Sequence, residues 1–160
     1  MSEQLQQACI DLDPSAAETV ERVTAEVLET MFFTEAGRAS CDHGWLAAAS
    51  CAHIVFDGSH RGAMLLAVSA EAAAPIGASF LGLDPMELTE MQRGQVIQEL
   101  ANILCGAMLS HLWPESKLAL APPELTAWRD WLCPGVLHRC FALAEGPLAI
   151  SIQLLGAPEV

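Results

Sequence analysis

The chain has no tyrosine, and only 7 of its 160 residues are lysine or arginine against 20 aspartates and glutamates. The resulting formal charge of −13 leaves little with which to neutralise a phosphate backbone, so nucleic acid is excluded as a partner. Anionic membrane surfaces are disfavoured for the same reason. No apolar run reaches the roughly 18 residues that a membrane-spanning helix needs. The first residues, MSEQLQQACIDLDPSAAE, have neither the basic nor the apolar region of a secretory signal, and a cytoplasmic location is expected. The six cysteines, at 9, 41, 51, 105, 133 and 140, show no C-x-x-C spacing. Its absence argues against a zinc knuckle, a redox motif or a metal site. Cys51, Cys105 and Cys140 lie within apolar stretches, where a free thiol behaves as a small hydrophobe, and reduced thiols suit the cytosol. A glycine-rich phosphate loop, a G-x-S-x-G elbow and an H-E-x-x-H pair are all missing.

What is present is apolar material: 52% of the residues are hydrophobic, enough for the core of one domain. Residues 1–14 are expected to be a flexible N-terminal segment and 15–156 the domain. Val20, Val23, Val27, Leu28 and Met31 recur at helical spacing, which predicts a helix from Ser15 to about Gly37 with a cap at Asp13 or Ser15. Residues 45–69 split at DGSH into two apolar segments, the signature of a β-hairpin. Residues 69–83 predict a short helix in which Pro75 forces a kink or a late start. Asp84 and Pro85 predict the start of the longest helix, which Pro114 ends. KLALAPPEL reads as a strand broken by Pro122 and Pro123. Residues 135–156 form a second hairpin around AEGP, with Val136, His138, Cys140 and Ala142 alternating against Leu137, Arg139, Phe141 and Leu143. The expected fold class is α+β, an antiparallel sheet with a long helix and one or two further helices packed on it.

In the long helix, Val96, Ile97, Leu100, Ala101, Ile103, Leu104 and Met108 form a broad apolar face, and Gln95, Glu99, Asn102 and Gly106 fall on another stripe. Glu99 and Asn102, three residues apart, project from one side. On pattern alone they read as solvated residues opposite a packed face; the alternative is a small catalytic pair. His53 and His138 read as sheet residues, and His111 as a complement to the helix dipole. Trp128 and Trp131 read as packing over an open end of the sheet, with an exposed aromatic pair for a partner as the alternative.

ELANILCG, followed about twenty residues later by Pro122-Pro123, resembles the E-x-x-N helix of the CheC/CheX/FliY chemotaxis phosphatase family and the proline-bearing strand that follows it. The order of features resembles that family over about residues 15 to 156, and the single E-x-x-N motif is closest to its CheX branch. The resemblance implies a CheC-like fold and dephosphorylation of the aspartyl phosphate of a CheY-type response regulator. The phosphorylated regulator would be the partner and would itself supply Mg²⁺, with no cofactor bound by this chain. Asn102 would orient the attacking water, and Glu99 would pair with the regulator's active-site lysine. Gln95 and Gly106 would contact the partner, although close packing within the domain is an equal account of Gly106. A homodimer is also implied. The chain departs from the family pattern at Gln95, where Asp or Ser is usual. The acidic charge also opposes a carboxylate-rich regulator face. A module that binds a signalling partner without hydrolysis is therefore the alternative, and a small-molecule-binding domain is a third reading.

Overall fold

Period-two burial in the strands and period-3.6 burial in the helices direct one set of side chains to a common interface, and that interface is the main core. The structure, a computed structural model, describes residues 9–10, 14–40, 43–128 and 136–155. The elements are β1 (Cys9–Ile10), α1 (Pro14–Phe32), β2 (Gly37–Ala39), β3 (Ser50–Gly58), β4 (Arg61–Val68), α2 (Ala70–Leu81), α3 (Glu90–Leu112), β5 (Leu118–Leu120), β6 (Glu124–Thr126), β7 (Leu137–Ala142) and β8 (Pro147–Leu155). All strand pairs are antiparallel, in the order β2-β7-β8-β4-β3-β5, with β1 also on β8 and β6 also on β3. This is the expected α+β class. The expected flexible segment over 1–14 falls mostly outside the described residues.

Both hairpins form where the turn signals place them. In β4, a nearly continuous apolar run, Gly62 to Val68 are all buried, because both faces of this central strand are covered. Ala52, Ile54, Phe56, Met64, Leu66, Ile150 and Ile152 meet the inner sides of the helices in the main core. On the opposite face Cys51, Leu65, Ala67, Cys140 and Ala149 form a smaller cluster. A 3₁₀ turn at His43–Ala48 contributes Leu46 to that cluster, and Trp45 and Trp128 pack against it. Trp128 thus packs on the sheet as expected; Trp131 lies outside the described residues.

Four local expectations are corrected. The first helix ends at Phe32 rather than Gly37: Phe33 takes a φ of 55°, Thr34 N–H bonds Leu28 O at 3.0 Å, and Gly37 opens β2 instead. At the second helix the late start is the alternative that fails: the helix begins at Ala70, capped by the Ser69 hydroxyl, and carries Pro75 inside it. Asp84 and Pro85 start only a 3₁₀ turn, Pro85–Glu87. The long helix has its own start at Thr89, whose hydroxyl accepts from Gln92 N–H while the Gln92 side chain accepts from Thr89 N–H, a complete capping box. Finally, Cys140 is disulfide-bonded, not reduced. Cys51 and Cys105 are free and buried, and burial pushes their thiols up to about 11 and about 12.

Candidate functional site

α3 lies at the centre of the helical layer, in contact with α1, α2, β3, β4, β5 and β6. Its inner side is held by Val96, Ile97, Leu100, Ala101, Leu104, Cys105 and Met108, all buried. With that side fixed, the rotation of the helix is fixed, and Gln95, Glu99 and Asn102 are exposed on the outer side. At about 1.5 Å of rise per residue, Glu99 and Asn102 stand about 4.5 Å apart along the axis. Among the described residues, no hydrogen bond or ion pair engages the side chains of Gln95, Glu99 or Asn102. An acid and an amide are thus held out from a rigid element with their bonding capacity unused.

The third side of the site is the broken sheet edge. β5 pairs with Phe56–Gly58 of β3, and β6 pairs with Cys51–His53 of the same strand. Between them Ala121 N–H still reaches Val55 O at 2.8 Å, but Pro122 and Pro123 have no N–H to give the ladder, and the chain bends off the sheet. The bend is tied to α3 by Gln98 Nε2, which donates to Pro123 O at 3.0 Å. Gln95, Gln98, Glu99 and Asn102 on one side, and Leu120, Ala121, Pro122 and Pro123 on the other, line a cleft of about 510 Å³. It is a surface cleft with polar groups along one wall, unlike the enclosed apolar pocket that a small-molecule-binding domain would offer.

Gly106 is half-buried further along α3, and a Cβ added there would meet nothing within 4 Å. Packing within this domain therefore does not require a glycine at 106, which removes one of its two accounts. His111 Nδ1 donates to Ala107 O at 2.8 Å in the last turn of α3. His138 Nδ1 and Ser151 Oγ lie 2.7 Å apart on the sheet, and His53 is half-buried in β3. Neither joins the cleft. Among the described residues, no group of three or more His, Cys, Asp or Glu side chains is placed to hold a metal ion, and no helix is long and apolar enough to cross a membrane. Sequence reasoning missed two parts of the arrangement. One is Gln98, whose only signal was a carboxamide beside a donor-poor Pro-Pro strand. The other is the Thr89–Gln92 box, spelled out in T-x-x-Q.

The sequence model of the family described as chemotaxis phosphatase CheX matches residues 50–133, more than half of the chain. No curated protein matches by sequence. Among solved structures, the chain is similar to the chemotaxis protein CheX of Vibrio vulnificus at 18% identity and a TM-score of 0.73, over 91% of this chain and 99% of that one. It is similar to CheX of Desulfovibrio desulfuricans at 15% identity and a TM-score of 0.71, over 88% and 99%. It is also similar to a Borrelia burgdorferi protein solved as a CheX-CheY-BeF3-Mg complex, at 14% identity and a TM-score of 0.62, over 86% and 96%.

Proposed function

The chain belongs to the CheX family of chemotaxis phosphatases, and on that premise we propose that it removes the aspartyl phosphate of a CheY-type response regulator. The observation that carries the proposal is the exposed, unengaged Glu99–Asn102 pair on a helix whose opposite side is locked in the core. The Borrelia relative, solved together with CheY, supports a response regulator as the partner.

The chemistry asks little of this chain beyond position. A water attacks phosphorus in line, the P–O bond to the aspartyl carboxylate breaks, and inorganic phosphate and a free carboxylate result. The Asn102 carboxamide holds that water: its oxygen accepts a hydrogen bond from the water, and the amide does not titrate, so the geometry is independent of pH. The Glu99 carboxylate pairs with the regulator's lysine and sets the depth at which the helix enters the partner's site. Mg²⁺ held by the regulator compensates charge on the phosphoryl group. Gln95 and Gly106 border the same contact: a carboxamide before the glutamate, and a backbone left open to close approach. Two copies of the chain form the working unit, which light scattering would read as twice 17.1 kDa.

The test is phosphate release from purified CheY-type regulators of the same organism, with this protein at substoichiometric concentration. Acceleration that Glu99→Ala weakens supports the reading. Binding without any acceleration would assign the chain to the non-hydrolysing alternative.

A further inference from the structure

We infer that Met91 of α3 and Leu125 of β6 form an apolar anchor for the regulator, on the side of α3 that carries Asn102; the inference rests on the phosphatase reading above. Met91 is 75% exposed in the first turn of α3 and Leu125 is 51% exposed on β6. Helical rotation places Met91, Gln95, Gln98 and Asn102 along one side, at i, i+4, i+7 and i+11. Leu125 reaches that side from the sheet edge: its Cδ1 would lie 2.8 Å from a Cβ built on Gly94. Gly94 is thus the gap in the helix surface over which the leucine side chain lies, beside Met91 and one turn before Gln98. Neither side chain is needed to close the core beneath, where Val96, Ile97 and Leu100 are each at most 2% exposed.

The location selects the occupant. Met91 stands about 12 Å from Glu99 and about 16 Å from Asn102 along the axis. A protein contact of ordinary size is roughly 30 Å across, so a regulator seated on Glu99 and Asn102 also covers Met91 and Leu125. Electrostatics selects the type of contact. The chain carries a formal charge of −13 and must meet a carboxylate-rich phosphorylated face, so long-range attraction cannot supply the affinity. Burial of a methionine and a leucine is indifferent to charge sign, and a flexible thioether adapts to an irregular partner surface. Affinity is thus divided from chemistry along one helix: the first turn grips, and the middle turns react.

The experiment uses the full chain, and as probe the organism's own CheY-type regulator loaded with beryllofluoride and Mg²⁺. The Met91→Ser/Leu125→Ser double variant should bind it about tenfold or more weakly and raise KM for the phosphorylated regulator, with kcat unchanged. Met91→Leu, which keeps the apolar area, should retain wild-type affinity. Both residues are exposed, so melting curves should overlay and exclude misfolding as the cause. Unchanged affinity, or a fall in kcat without one in affinity, overturns the anchor but leaves the catalytic pair standing. A wild-type protein that neither binds nor dephosphorylates the regulator overturns both readings together.

Discussion

The two sides of α3 have been shaped by different demands. The inner side, from Val96 to Met108, is apolar and sealed. The outer side holds Gln95, Glu99 and Asn102, whose side chains have no partner among the described residues, and Gly106, with open space around it. One side stabilises the fold without touching the chemistry, and these four residues are available for chemistry while contributing almost nothing to the fold. Function and stability are therefore separable by substitutions only one or two residues apart.

That separation can be broken in order of effect. Leu104→Ala, on the sealed side, should cost about 2–5 kcal/mol of folding free energy, read by denaturant unfolding. Asn102→Ala, two residues earlier, should leave folding within about 0.5 kcal/mol yet slow regulator dephosphorylation by roughly 10²-fold, the cost of misplacing a reacting water. Gln98→Ala removes a hydrogen bond that ties α3 to the proline bend. It should cost about 1 kcal/mol and also lower activity, because the cleft loses its far wall. Gly106→Ala meets no neighbour and should raise stability by up to about 1 kcal/mol through helix propensity, while weakening regulator binding. The remaining effect is confined to alkaline pH. Burial raises the folded-state pKa of Cys105 to about 12, so the folded state holds its proton more tightly than the unfolded chain. Stability should be flat below about pH 8.5 and fall from there toward pH 12 as the unfolded thiol ionises. Cys105→Ala should flatten that limb of the pH–stability curve.

The same comparison explains what was legible beforehand. Period 3.6 in α3 sorted its residues into the sealed and open sides, and the turn signals located both hairpins, because these are short-range patterns. The proline pair correctly broke the edge strand, since a missing N–H is a property of the residue itself. Short elements were not legible: β2 is three residues long and exists through its pairing with β7, a partner about a hundred positions away. The bond from Gln98 to Pro123 and the disulfide at Cys140 are tertiary facts of the same kind. The start of α3 was misplaced for a different reason. Asp84-Pro85 and Thr89-x-x-Gln92 are both start signals, and the first won only a single 3₁₀ turn before Leu88 turned inward, buried beside Gly77.

The most direct test of the account compares Asn102→Ala with wild type in two readings on one regulator: decay of its aspartyl phosphate and affinity for its beryllofluoride-loaded form. The account predicts that affinity is kept and the accelerated decay is lost. Decay that stays as fast with Asn102→Ala as with wild type would contradict it.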